Sequence, residues 1–235
     1  MKREKYVLSQ HIVRDIITKI HSGEFPLNSK LPSELTLAST YKVGRSKIRE
    51  ALSVLKSLGI LTSKQGGGHY IGEVDIQFLL ENIEVDTDEY LEIKSLFELR
   101  YILDTEAAFL AAERRTEEDI VELRKALLEF EQSLRSPNDA GQDADYHFHR
   151  AMISATHNPF MIKVLDDLSE KYHKALSVTL KQNIGLNEKR HSVYKEHEDI
   201  LKAIEEGKPE LAKVYCKIHL DNVQKKLNFL YFFNQ

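Results

Sequence analysis

Residues Leu31 to Ile71 read LPSELTLASTYKVGRSKIREALSVLKSLGILTSKQGGGHYI, and this stretch decides the fold. Ser33 is placed to cap a short helix whose apolar residues Leu35, Leu37, Ala38 and Tyr41 gather on one side. Val43-Gly44 turns the chain. Ile48, Ala51, Leu52, Leu55 and Leu58 then recur at three- and four-residue spacing, which predicts a second helix, and Gly59 stops it. Ile60-Leu61-Thr62 predicts a strand, Gly66-Gly67-Gly68 a tight turn and His69-Tyr70-Ile71 a returning strand. The second helix opens with Arg45, Ser46, Lys47 and Arg49 and buries only its other face, which suits a helix entering a DNA major groove.

Charge divides along the same line. Residues 1–72 hold 12 Lys and Arg against 5 Asp and Glu, net +7; the rest hold 21 against 32, net −11, giving −4 for the 235 residues. Only the first third is therefore expected to meet phosphates. Upstream, Val7, Ile12, Val13, Ile16, Ile17 and Ile20 make an apolar stripe that predicts a helix over Tyr6 to His21, followed by extended chain through Pro26. Downstream, Glu73 to Thr87 is an acidic connector whose short apolar stretch, Ile76 to Leu80, reads as a small helix. From Asp88 the pattern is helical throughout. Helices are expected at 88–113, 117–135, 139–156, 159–184, 188–206 and 209–232, broken at Thr116, Ser136-Pro137-Asn138, Asn158-Pro159, Gly185 and Gly207-Lys208-Pro209. Short loops between six helices predict an antiparallel bundle. The expected organisation is a DNA-binding domain at 1–72, a linker at 73–87 and a helical domain at 88–235. The start, MKREKYVLSQHIVRDII, has no signal-peptide core, no apolar run approaches the ~18 residues of a membrane helix, and the single Cys216 cannot form an internal disulfide. These features point to the cytosol, with no membrane partner.

Within the bundle, polar residues occupy positions where core residues belong. Asp145 and His149 are four apart and share a helix face with Phe148 and Met152. His197 falls in a stripe with Val193, Ile200, Leu201 and Ile204, and His219 lies near Ile218 and Val223. His197 is ten residues before Gly207 and His219 ten after Pro209. A hairpin turning there sets the two rings level, about 15 Å from the turn at 1.5 Å per residue. Facing Asp145 and His149, they form a set of three nitrogens and one oxygen, suited to zinc, nickel, cobalt, iron or manganese. His147, two residues from His149, points elsewhere. Glu196 and Glu198 flank His197 and are expected to face outward, so no general base stands beside the ligands, and the chain is not expected to be an enzyme. Arg150 and Asn158 are further candidates for contact with a bound molecule.

The residues also carry a resemblance. LPSE, GRSKIREAL and LGILTSKQGGGHYI resemble the winged helix-turn-helix of GntR-type bacterial transcription regulators, with departures at Leu35, Thr36 and Gly44, where that family usually has arginine, glutamate and serine or threonine. FELRYILDTEAAFLAAER, DYHFHRAMISATHNPF and EHEDILKAIEEGKPELAKVYCKIHL resemble the FCD effector-binding domain of the FadR-like subfamily, with Asp104 where the pattern usually has glutamate. The resemblance implies a divalent metal on Asp145, His149, His197 and His219, zinc or nickel first, and an effector contact at Arg100. In the wing, Gly67 and His69 are expected to join Arg45, Ser46, Lys47 and Arg49 as DNA contacts.

The expected function is a ligand-responsive transcription regulator, repressor or activator. It binds a palindromic double-stranded operator as a homodimer, because one recognition helix reads too few base pairs alone. Its trigger is a small carboxylate at the bundle metal. Two other readings are a metal-dependent enzyme fused to a DNA-targeting module, and a metal-free regulator holding an acyl chain; the second leaves the four donors unpaired.

Overall fold

A computed structural model of the chain describes residues 2–64, 68–72, 87–136, 139–180, 183 and 187–233. Two compact units emerge: residues 1–86 with 225–235, and residues 87–224. The sequence reading had assigned 225–235 to the bundle.

In the first unit, α1 (Lys2–His21), α2 (Glu34–Thr40) and α3 (Arg45–Ser57) precede an antiparallel pair, β1 (Leu61–Lys64) and β2 (Gly68–Ile71). Of the expected stripe on α1, Ile12, Val13, Ile16, Ile17 and Ile20 are all at most 5% exposed, and α1 packs on α3. Ser33 caps α2 by accepting from the Thr36 amide at 3.1 Å. The expected apolar side of α2 is narrower than its composition suggests. Only Leu37 is buried, Leu35 is exposed, and Tyr41 donates its hydroxyl to Asp15 at 2.6 Å. A seven-residue helix can turn only one or two side chains into a small core, so Leu35 has no place there. On α3 the expected face, Ile48, Ala51, Leu52 and Leu55, is fully buried. The hairpin pairs Leu61 with Ile71 and Lys64 with Gly68. Its strands start and stop within two residues of the expected positions. Gly66, Gly67 and the connector 73–86 lie outside the described residues.

The second unit is helical: α4 (Thr87–Arg114), α5 (Glu117–Ser133), α6 (Gln142–Ser154), α7 (Pro159–Asp167), α8 (Ser169–Leu180), α9 (Asn187–Glu205) and the part of α10 (Pro209–Phe233) up to Gln224. Helix α6 is central: α4, α5 and α8 pack on it, and α9 closes against α4 and α5. Four alanines of α4, at 107, 108, 111 and 112, are at most 1% exposed, which lets neighbouring backbones approach closely. Thr116 and Asp119 form a reciprocal capping box at the start of α5, and Asn158 caps α7 with Pro159 next to it. The expected helix over 159–184 is two helices. Leu168 leaves helical geometry (φ −106, ψ 5), and the burial changes there: α7 buries only Leu165, whereas α8 buries Tyr172, Ala175, Leu176, Thr179 and Leu180. Asp166, Asp167 and Ser169, all weak helix formers, surround the break, but no glycine or proline marks it. Pro137, Asn138 and Gly185, three of the expected breakers, lie outside the described residues. At the α9–α10 turn Gly207 has φ 61, and a Cβ there would stand 2.6 Å from Arg115 Nη2. The Arg115 guanidinium donates to the Ala112 and Glu205 carbonyls, tying the ends of α4 and α9 together.

Candidate metal centre and nucleic-acid face

The one-turn spacing on α6 sets Asp145 and His149 on the same inward face, beside the fully buried Phe148 and Met152. Equal distances from Gly207-Lys208-Pro209 bring His197 of α9 and His219 of α10 level, with ring centroids 4.6 Å apart. One ligand atom from each of the four residues lies within 4.8 Å of all the others, and all four residues are buried. His197 Nε2 stands 3.4 Å from His149 Nε2 and 3.3 Å from Asp145 Oδ1; His149 Nε2 stands 3.8 Å from Asp145 Oδ2. Corners of a tetrahedron with bonds near 2.1 Å are about 3.4 Å apart, so these separations fit a metal with little adjustment.

Each imidazole has an oxygen at its outer nitrogen. His197 Nδ1 is 2.9 Å from the Val193 carbonyl, His219 Nδ1 is 2.9 Å from Glu196 Oε2, and His149 Nδ1 faces Asp104 Oδ2 at 3.3 Å without good hydrogen-bond alignment. A ring that donates through Nδ1 keeps the Nε2 lone pair for an ion. The electrostatics favour the same state. Burial, helped by the Arg100 charge, pushes the His149 pKa down to about 4, and burial lowers His219 as well. Burial alone would raise the Asp145 carboxyl, but the His197 hydrogen bond and the charges of His149, His197 and Arg100 hold it well below the usual range. Burial thus disfavours the protonated forms of His149 and His219, as binding to a metal requires. Asp145 Oδ2 is buried without a hydrogen-bond partner among the described residues. Such a group is costly to bury unless an ion takes it up. The four residues can therefore hold a divalent metal.

Beside this cluster lies a second buried polar set, in which Arg100 and Asp104 were singled out from the sequence and Tyr172 was not. Asp104 Oδ2 accepts from Arg100 Nε at 3.2 Å and from the Tyr172 hydroxyl at 3.0 Å. The Arg100 guanidinium lies 4.0 Å over the Tyr172 ring, is 2% exposed, and its Nη2 has no partner among the described residues. Of this set, only the Arg100–Asp104 pair, four apart on α4, was within reach of a spacing argument. Glu196 corrects an expectation. It turns toward α10, accepts from His219 and from Asn222 Nδ2 at 2.8 Å, and is largely buried, whereas Glu198 pairs with Lys195. Burial raises its carboxyl, yet the His219 hydrogen bond and charge hold it below the usual range.

Arg150 and Asn158 are not brought to the cluster. Arg150 is half exposed and pairs with Asp166 at 3.3 Å in an open groove between α5 and α6, and the Asn158 side chain is occupied in capping α7. His147 also faces that groove, paired with Glu129 at 2.8 Å.

In the first unit Arg45, Ser46 and Arg49 are exposed at the start of α3. Arg45 Nη2 and Arg49 Nε both contact Glu34 Oε2, at 3.3 and 2.8 Å, and Lys47 pairs with Glu50 at 2.5 Å. Glu34, on α2, was not anticipated as the shared partner. His69 Nδ1 lies 3.2 Å from Ser63 Oγ across the hairpin, and Gly67 is outside the described residues. No helix among the described residues is long and apolar enough to cross a membrane.

The bacterial regulatory protein, gntR family, pattern matches residues 8–71, and the FCD domain matches residues 95–222. The chain is 34% identical over 213 residues to the HTH-type transcriptional regulator LutR of Bacillus subtilis, covering 89% of this chain and 96% of LutR. It is 28% identical over 209 residues to the Uxu operon regulator of Haemophilus influenzae, covering 88% and 77%. Against the Glc operon transcriptional activator of Escherichia coli it is 24% identical over 236 residues, covering 97% and 92%. These relatives are named as transcription regulators, not enzymes. Helix-turn-helix, hairpin and helical bundle, in this order and across nearly the whole length, make the chain a transcription regulator of the GntR family with an FCD domain.

Proposed function

We propose that this regulator responds to a small carboxylate taken up at a divalent metal on Asp145, His149, His197 and His219. The observation that carries the reading is the buried convergence of three imidazoles and one carboxylate within 4.8 Å. Zinc or nickel suits three nitrogens and one oxygen best, with manganese, iron or cobalt as alternatives. When bound, the metal supplies a Lewis-acidic position for an anionic ligand. Arg100 supports a carboxylate there: its guanidinium is buried, and Nη2 remains available for a charge-assisted hydrogen bond. Asp104 and Tyr172 hold the guanidinium in place from its other side. Arg150 and Asn158 have no part in this reading, since their side chains are engaged elsewhere.

On the DNA side, Arg45 and Arg49 contact base edges or phosphates, Ser46 and Lys47 add phosphate contacts, and the hairpin with Gly67 and His69 lies along the minor groove. A homodimer on a palindromic operator follows from the small number of base pairs that one short helix can read. Location in the cytosol follows from the same DNA partner. The relatives include one named as an activator, so the effector is assigned no sign on transcription. The metal part is tested by elemental analysis of the purified full chain, followed by thermal denaturation with added zinc or nickel. About one ion per chain, or a clear rise in Tm on addition, is the expected result. Protein that carries no metal and gains no stability from either ion overturns it.

A further inference from the structure

Resting on the metal reading above, we infer that Glu196 is the positioning residue for His219, fixing the ring so that Nε2 faces the ion. The Glu196 carboxylate uses both oxygens toward α10: Oε2 accepts from His219 Nδ1 at 2.9 Å and Oε1 from Asn222 Nδ2 at 2.8 Å. A neutral imidazole carries one ring proton, and an acceptor on Nδ1 decides which nitrogen keeps it. The three histidines of the cluster differ in how they meet this requirement. His197 uses the Val193 carbonyl four residues back on its own helix, so its ring is oriented by local backbone alone. His149 faces Asp104 Oδ2 at 3.3 Å, but that oxygen already accepts from Arg100 and Tyr172. His219 has a carboxylate at full hydrogen-bond distance, supplied by a different helix.

That difference has a consequence for binding. The acceptor that meets His219 Nδ1 stands on α9 rather than on its own helix, so the ring is aimed across the hairpin. A carboxylate on the far nitrogen also strengthens the donor nitrogen toward a cation. Glu196 thus acts twice, on ring orientation and on basicity, without touching the ion. Its neighbour Asn222 contributes the other half of the fork but lies outside the His219–Glu196 bond.

The test uses the full chain with zinc alone, its affinity read by competition with a chromophoric chelator. Glu196→Ala is expected to weaken zinc binding about ten- to hundred-fold. Glu196→Gln keeps a carbonyl for His219, and the Asn222 amide can reverse to meet the new NH2, so it should recover most of that loss. Asn222→Ala should leave zinc affinity unchanged, because the His219 bond survives. Histidine-resolved NMR of the metal-free proteins should show the Nδ1–H tautomer of His219 in the wild type and a mixture in Glu196→Ala. Zinc affinity unaltered by Glu196→Ala overturns the inference, as does an equal loss in Asn222→Ala, which would make the carboxylate a helix clamp only. Wild-type protein that takes up no zinc at all overturns the metal reading itself, a result distinguishable from the other two.

Discussion

On α3, Arg45 and Arg49 are 53% and 63% exposed and share one partly exposed carboxylate, Glu34. On α6, α9 and α10, Asp145, His149, His197 and His219 are at most 2% exposed and face one another. The first arrangement costs little to open. Exposed ion pairs are worth about 0–1 kcal/mol, so a phosphate or a base edge can replace Glu34 with small loss. The second is costly to leave without an occupant, because buried polar atoms such as Asp145 Oδ2 lose water and gain no partner. The two arrangements thus differ in solvation: one is an open cationic face, the other a closed polar cluster. Mutations should show the contrast: changes in the bundle centre act on stability and metal together, whereas changes on α3 act on DNA affinity and leave the fold intact.

The largest effect is expected from His197→Ala combined with His219→Ala. A ligand at about a thousand times its Kd stabilises the folded state by about 4 kcal/mol, and for a chain of this size that is about 10 °C in Tm. Zinc added to wild-type protein should produce a rise of this order, and the double variant should produce none. Differential scanning calorimetry with and without zinc measures it. An equal zinc-induced rise in the variant would show that the ion sits elsewhere.

Next comes Arg49→Ala. The side chain is exposed and its pair with Glu34 is a surface one, so Tm should change little and the zinc-induced rise should persist. Operator affinity should fall by about 1–3 kcal/mol if Arg49 reads a base edge. Fluorescence anisotropy at several salt concentrations separates the roles: a phosphate contact lowers the salt slope by about one, whereas a base contact relaxes sequence preference instead. Undiminished affinity and slope would remove Arg49 from the DNA face.

Local pattern made much of this legible. The α1 and α3 stripes are runs of apolar residues at helical spacing, and both, from Ile12 onward, are buried as read. The convergence of Asp145, His149, His197 and His219 was also legible, because i and i+4 on one helix and equal arms about one turn are both one-dimensional facts. What escaped depends on how helices meet. Tyr172 reaches Asp104 across 68 residues, and no spacing rule connects them. Glu196 neighbours His197, which suggests an outward side chain. Yet the α9–α10 contact is wide enough to take adjacent residues: His197 faces the centre and Glu196 faces the flank of α10. Leu35 was counted with the apolar side of α2 and is exposed, since a helix of seven residues presents too little surface to bury it. The break at Leu168 carries no glycine or proline, so composition alone does not mark it.

The smallest expected effect probes the start of α3. Gly44 is its N-cap, with φ −68 and ψ 149 and no side chain to accept from the first amides. A Cβ at Gly44 would meet only Ser46 Oγ, at 3.8 Å, an ordinary contact, and the backbone is already in a region that any residue adopts. Gly44→Ser therefore adds a capping hydroxyl without strain. Serine and glycine differ by only a few tenths of a kcal/mol as caps, so the gain in stability should be that small. DNA affinity can rise as well, because a capped first turn holds Arg45 and Lys47 more firmly beside the phosphates. Chemical denaturation of the two proteins, with zinc held constant, measures the difference. A loss of stability would mean that the missing side chain at Gly44 makes room for something other than solvent, and the cationic face would then be less open than its exposed arginines indicate.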